Sequence, residues 1–404
     1  MKIGLSLSGG GFRATVFHLG VLARLAEEGR LKDVTLLSTV SGGSLCVGLV
    51  YACNGFRWPA SGDFIDNVVP RARQLLTSQD LQLGLIGRVL RFPLRIFGTR
   101  ADDLSFLLNK RWGVKGSLRA LPDRPRWMIN ATCYETGKNW RFERSRMGDN
   151  VFGYTHDTNL PLSDALAASA GFPALIGPLH LDTHVRSWFK YTDEEEELRE
   201  PVDPECYDQQ VEPTKPAYSR LHLWDGGVYD NLGLEGLHNF VDGWRHDVDF
   251  LIISDACERL KPEEHRPWKA SLRMIRGIMM DQVRTLRFRA VSERLINHQD
   301  AGSFLQIGTT CKQVLRDAGR EDEIARLCPR YLTREEADRA AEMRTDIGRL
   351  SREEFELLFR HGFEVADYTL YANHPDEFNC IGYGDSRRCA MRQHYHVQLS
   401  PASP

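Results

Sequence analysis

An α/β fold, with a mostly parallel sheet and helices on its faces, is the class this sequence predicts. Three observations carry it. A strand–helix–strand–helix alternation begins at residue 2. Glycine follows both of the first two strands closely, just where a helix begins. Short apolar runs then return at 127–134, 221–224 and 249–254. Alternating β and α elements feed parallel strands and place the intervening helices on the sheet faces.

Residues 2–8 set Ile3, Leu5 and Leu7 on one face, which is strand periodicity. Glycines 9–11 break that strand. From 14 to 28, Val16, Leu19, Val21, Leu22 and Leu25 follow helical spacing, and Gly29 is a good C-terminal stop. A second short strand over 34–39 leads into a helix over 43–53, ended by Asn54-Gly55. Residues 127–134 and 139–143 form two strands around the Thr136-Gly137-Lys138 turn. A short Ala-rich helix occupies 163–170. The acidic, proline-containing stretch 190–217 reads as an exposed insertion loop; its charge run is a solvated face or a cation site. Residues 265–297 carry a long amphipathic pattern with many arginines. Ser351 with Glu354 is a capping box, opening a helix that should end near His361-Gly362.

A chain of 404 residues suffices for one large α/β domain or two ordinary ones. No repeat or linker divides it, so one elaborated domain is expected. The composition, 42% hydrophobic and 26% charged, is that of a globular protein. A net charge of −3 gives no reason to expect nucleic acid as a partner. Nine scattered cysteines are an odd set in a long chain, which reads as reduced thiols rather than a disulfide framework. The N-terminal apolar run is too short for a cleavable leader, and no run of about 18 apolar residues suggests a spanning helix. A cytoplasmic protein is expected.

Three motifs carry chemistry. The first, Ser8-Gly9-Gly10-Gly11-Phe12-Arg13-Ala14, sits where a strand hands over to a helix. Consecutive glycines let amides point into one concavity, and the helix N-terminus adds positive potential. Such a nest suits a dinucleotide phosphate or a developing oxyanion. The dinucleotide fingerprint also requires an acid at the end of the second strand. That strand ends Ser38-Thr39-Val40-Ser41, without one, and no Walker lysine follows the glycines. An oxyanion hole or a structural turn remains.

The second motif is Thr39-Val40-Ser41-Gly42-Gly43. A nucleophile elbow, G-x-S-x-G, needs small neighbours so that a sharp strand–helix turn can present the serine. Gly43 meets one requirement, and Thr39 departs from the other. The competing reading makes Ser41 a helix N-cap. The third motif, Asp225-Gly226-Gly227, follows an apolar strand. It is either an Asx turn or a free carboxylate able to take a serine proton. Asp230 nearby reads as a turn cap. His18 lies inside the first helix and reads as packed; neither His222 nor His238 is in a recognisable triad setting.

Taken in order, these motifs resemble the patatin-like phospholipase family, with its G-G-G-x-R/K, G-x-S-x-G and D-G-A/G signatures. The likeness extends to 165–179, "ALAASAGFPALIGPL", and is good over 1–256. The resemblance implies a three-layer α/β/α sandwich with a mostly parallel central sheet and a largely helical C-terminal elaboration. It divides the chain into a catalytic core, 1–256, and a helical extension, 257–404, packed on it as one domain. It implies a Ser41–Asp225 dyad, an oxyanion hole from Gly9, Gly10, Gly11 and Gly42, and support from Arg13, Gly43, Gly226 and Gly227. The implied activity is hydrolysis of fatty acyl esters in phospholipids or related lipids, of phospholipase A or lysophospholipase type, without cofactor or metal. The alternative is a catalytically silent or effector-gated relative that binds lipid or protein.

Residues 81–97 alternate apolar side chains with Arg88, Arg91 and Arg95 and contain no acid. That composition suits peripheral contact with an anionic membrane; a core-packed helix with a solvated arginine stripe is the competing reading. Cys380, Cys389, His394 and His396 lie close together in sequence, but their spacing is no standard zinc pattern.

Overall fold

The computed structural model describes residues 1–91, 99–173, 175–191, 211–239, 243–244, 248–257, 260, 262–267, 270–298 and 301–386. The predicted opening alternation forms as β1 (Ile3–Leu7), α1 (Gly11–Glu27), β2 (Val34–Val40) and α2 (Gly42–Cys53). The helices that matter for the site or its cover are α3 (Leu81–Arg91), α4 (Arg100–Leu107), α5 (Leu162–Ser169), α6 (Met280–Asn297) and α7 (Arg352–Asn373). The remaining sheet strands are β3 (Arg126–Cys133), β4 (Asn139–Phe142), β5 (Met147–Asp149), β6 (Gly153–Thr155), β7 (Leu179–Asp182), β8 (Trp188–Tyr191), β9 (Val211–Thr214), β10 (Arg220–Asp225), β11 (Phe250–Asp255) and β12 (Gly302–Gln306).

These strands make one 12-stranded sheet in the order β12-β11-β1-β2-β3-β4-β5-β6-β8-β9, with β10 joined to β3 and β7. The five strands from β12 to β3 are parallel. Both faces of this part are buried, as parallel strands under crossover helices require. Leu37, Ile129 and Ile252 enter the large core that also holds α1, α2 and α7. Their neighbours Leu36, Met128, Leu251 and Ile253 face a smaller core with Val291 of α6. The two-residue period of the strands thus makes three layers. No helix among the described residues is long and apolar enough to cross a membrane.

One register detail positions the chemistry. β2 runs parallel along β3 only as far as Val40, opposite Asn130. β10 comes antiparallel along the continuation of β3 and ends with Asp225 opposite Ala131. Two strand ends therefore meet head to head on one edge of β3, and the residues that follow them are forced together.

Three expectations need correction. The last helix does not stop near Gly362 but runs to Asn373. Gly362 is a contact glycine: a Cβ there would lie 2.0 Å from the Phe17 carbonyl oxygen of α1. Gly20 reciprocates, its Cβ position lying 2.2 Å from the Phe359 oxygen. The insertion 190–217 is not loop throughout, since β8 and β9 pair at its two ends; residues 192–210 lie outside the described residues. The 265–297 pattern is also not one regular helix, because a π-helical stretch, Arg273–Met279, precedes α6.

Candidate active site

Ser41 follows β2 with φ 49 and ψ −114, a conformation that non-glycine residues avoid. Such strain costs on the order of 1–3 kcal/mol and persists only where neighbours fix it. Here they do. The Gly43 amide donates to the Ser8 carbonyl at 3.1 Å, and the Ser41 amide donates to Ser169 Oγ at 3.0 Å. Both glycines after the serine are required by space. A Cβ at Gly42 would lie 2.3 Å from the Gly11 oxygen, and one at Gly43 2.3 Å from the Leu7 oxygen. Ser41 makes no side-chain cap of α2, so the N-cap hydrogen bond is not what holds it.

The glycine nest lies against this elbow. Gly10 and Gly11 take φ 139 and 57. The Gly9 amide is occupied by the Asn231 carbonyl at 3.1 Å, and the Phe12 amide by the Asp346 carbonyl at 3.1 Å. The amides of Gly10, Gly11 and Gly42 have no protein acceptor among the described residues. Arg13 lines the cavity beside the nest. Its buried guanidinium donates to the carbonyls of Ala341, Met343 and Ala256, at 2.9, 3.0 and 3.0 Å. It ties a C-terminal strap, 341–347, to the nest loop. A Cβ at Gly11 would lie 1.7 Å from the Thr345 oxygen of that strap.

Asp225 ends β10 beside Ser41. Its Oδ1 accepts from the Gly227 amide at 2.7 Å. Its Oδ2 is buried with no well-aligned donor among the described residues, although the Ser41 side chain bears on the carboxyl. Burial pushes the carboxyl up to about 7, against the opposing pull of the Gly227 amide and the Ser41 hydroxyl. Gly226 is as tightly placed as the elbow glycines: a Cβ there would lie 2.5 Å from the Asn130 oxygen. Asp230 behaves as a turn cap, accepting from the amides of Leu232, Leu234 and Glu235 at 3.1, 2.7 and 2.8 Å.

Ser41, Asp225 and the three nest glycines line one cavity of about 830 Å³. Much of its remaining wall is apolar, including Leu45, Leu85, Phe172 and Ile176. No histidine among the described residues lines it. His18 is buried behind the nest, bonded to Ser254 Oγ at 2.9 Å and the Ser8 carbonyl at 3.0 Å, and burial lowers its pKa to about 4. His222 pairs with Glu135 at 2.5 Å, and His238 packs its ring on Trp244. Arg88 of α3 is paired with Asp103 of α4 and lies 4.1 Å from the Phe106 ring centre, so it is not a purely solvated arginine. Residues 92–97 of that segment lie outside the described residues, as do Cys389, His394 and His396; Cys380 is 3.0 Å from the Tyr331 hydroxyl.

Sequence reasoning missed Ser169, Asn231 and the strap. Asn231 wedges between the nest and the Asp225 turn. Its Oδ1 lies 2.2 Å from where a Gly9 Cβ would be and 2.5 Å from that of Gly227. The stretch holding Ser169 stood out in the sequence, but nothing there marked its serine.

A mixed sheet whose central strands β12 to β3 are parallel, covered by helices on both faces, is the α/β/α architecture of patatin-like proteins. The chain belongs to the patatin-like phospholipase family, whose model matches residues 5–238. Among solved structures it is similar to human GIVD cytosolic phospholipase A2, at 14% identity and TM-score 0.51, over 98% of this chain and 62% of that one. This chain thus spans less than two thirds of that structure's length. The same human protein in complex with methyl gamma-linolenyl fluorophosphonate matches at 15% identity and TM-score 0.46, over 98% of this chain and 59% of that one. VipD from Legionella pneumophila matches at 14% identity and TM-score 0.34, over 93% and 67% of the two chains. At 14% identity the likeness to the first of these is one of fold. No curated protein matches the chain.

Proposed function

We propose that the protein is a lipid acyl hydrolase of phospholipase A or lysophospholipase type, working through Ser41 and Asp225. One observation carries this reading. The head-to-head strand ends bring a strained serine against a buried carboxylate whose Oδ2 has no well-aligned donor among the described residues. A carboxyl raised to about 7 is a serviceable base near neutral pH.

Ser41 Oγ attacks the ester carbonyl while Asp225 takes its proton. The negative charge that develops on the carbonyl oxygen falls to the amides of Gly10, Gly11 and Gly42, preorganised by the nest and the start of α2. Collapse expels the alcohol, which recovers the proton from Asp225. A water, deprotonated by the same carboxylate, then hydrolyses the acyl-enzyme. In this scheme Gly9 contributes close approach rather than a donor, and Arg13 fixes the nest loop with its charge alongside. Gly43, Gly226 and Gly227 give the backbone room that both turns need.

The apolar wall of the cavity suits a fatty acyl chain. Ile86 of α3 and Leu175 both line the cavity and are about half exposed, at 48% and 51%. They support peripheral contact of this side, α3 included, with a membrane from which the substrate enters. The test is mass-spectrometric detection of fatty acid released from mixed phospholipid vesicles and from lysophospholipid micelles. Release by the wild type and none by Ser41→Ala is expected. Vesicle binding without any release by the wild type would favour the catalytically silent alternative.

A further inference from the structure

A serine held at φ 49 and ψ −114 needs something to hold it, and its amide hydrogen bond leads away from the cavity into the protein. The acceptor, Ser169 Oγ, lies 2.8 Å from Ser44 Oγ. Ser44 Oγ lies 2.8 Å from Thr39 Oγ1, which in turn accepts from the Trp127 indole N–H at 2.8 Å. Thr39, Ser44 and Ser169 are all fully buried. Both ends of this chain are fixed donors, the indole N–H and the Ser41 amide. Three hydroxyls between them make two mutual bonds, and the third proton leaves the chain. Whichever way the hydroxyls turn, the Ser41 amide finds an acceptor.

Ser169 also holds the other half of the site. Its carbonyl accepts from the Gly226 amide at 3.3 Å, and the carbonyl of Gly171 accepts from the Asp225 amide at 3.2 Å. The end of α5 and the two residues after it thus grip the Ser41 backbone with a side chain and the Asp225-Gly226 backbone with two carbonyls. Thr39 gains a purpose too. An elbow usually places a glycine there; here the hydroxyl at that position links Ser44 to Trp127, whose ring stacks on Tyr51 of α2 at 5.4 Å.

We propose that Ser169 is a positioning residue that sets the Ser41–Asp225 geometry, braced by a buried hydroxyl chain through Ser44 and Thr39 to Trp127. The proposal rests on the reading of Ser41 and Asp225 as nucleophile and base. A chain that merely satisfies buried polar groups would affect stability alone. A positioning chain also affects the chemical step, because misplacement of a reacting group by about 1 Å can cost on the order of a hundredfold in rate.

The experiment uses the full chain with Ser169→Ala, Thr39→Val and Thr39→Ser. It measures kcat and KM on a soluble short-chain ester, the rate of inactivation by a fluorophosphonate, and thermal unfolding. Ser169→Ala should lower kcat and the inactivation rate by ~10- to 100-fold with KM nearly constant. Thr39→Val, which keeps the shape and loses the hydroxyl, should lower both in the same direction. Thr39→Ser, which restores the hydroxyl, should recover most of the wild-type rate. If Ser169→Ala does not fold, the Thr39 pair decides alone. A folded Ser169→Ala enzyme with kcat within about twofold of wild type, or Thr39→Val and Thr39→Ser behaving alike, would overturn the proposal. Failure of the underlying reading looks different, because hydrolysis would then survive Ser41→Ala.

Discussion

Replacing Asp225 by Asn should abolish activity and stabilise the fold, and the gain should depend on pH. The ordinary carboxyl value of 3.8 rises to about 7 here because the group is buried. The folded state therefore holds this proton more tightly than the unfolded chain does. Ionisation begins to work against folding as pH rises past the unfolded value, and its full cost is reached above the folded value. A shift of about 3 pH units corresponds to about 4 kcal/mol at about pH 8. At about pH 5.5 the folded carboxyl is protonated while the unfolded one is ionised, leaving about 2 kcal/mol. Asparagine keeps an oxygen for the Gly227 amide and carries no charge. Its own packing cost does not depend on pH and cancels between the two conditions. The stabilisation of Asp225→Asn over wild type, measured by urea unfolding, should therefore be larger by about 2 kcal/mol at about pH 8 than at about pH 5.5. An equal difference at the two pH values would refute the claim that Asp225 is a buried base held at raised pKa.

The same carboxyl predicts that kcat/KM on a soluble ester rises about tenfold per pH unit up to about 7 and then levels off; a flat profile across that range would count against Asp225 as the base. Ser41→Gly should relieve the strain at φ 49, raising stability by about 1 kcal/mol in thermal unfolding while removing activity. Gly362→Ala should push α1 from α7, since its Cβ falls 2.0 Å from a backbone oxygen, and should lower the urea midpoint by the equivalent of about 2 kcal/mol or more. Gly11→Ala should lift the strap, because its φ is 57 and its Cβ meets Thr345; faster limited proteolysis within 341–347 is the readout.

The first four elements were legible because their hydrophobic period switches from two to that of a helix at glycine boundaries. The same logic failed at Gly362. A glycine that ends a helix and one that lets two helices touch look alike in sequence, and only the Phe17 backbone opposite distinguishes them. The meeting of Ser41 with Asp225 was foreseen from motif order, not from geometry. The geometry depends on β2 and the antiparallel β10 sharing one edge of β3, which no local pattern encodes. Ser169 and Asn231 escaped notice for a related reason. They are small polar residues whose partners lie far off in sequence; Ser169 Oγ meets the Ser41 amide across 128 positions. In sequence Thr39 is only a departure from the elbow pattern; in the structure its hydroxyl stands between Trp127 and Ser44.

The central claim is that Ser41 is the nucleophile and Asp225 its base. Peptide mapping by tandem mass spectrometry after treatment with an alkyl fluorophosphonate tests it most directly. The adduct should fall on Ser41 in the wild type, and its formation should slow by ~100-fold or more in Asp225→Asn. An adduct on another serine, or ester hydrolysis that survives Ser41→Ala, would contradict the account.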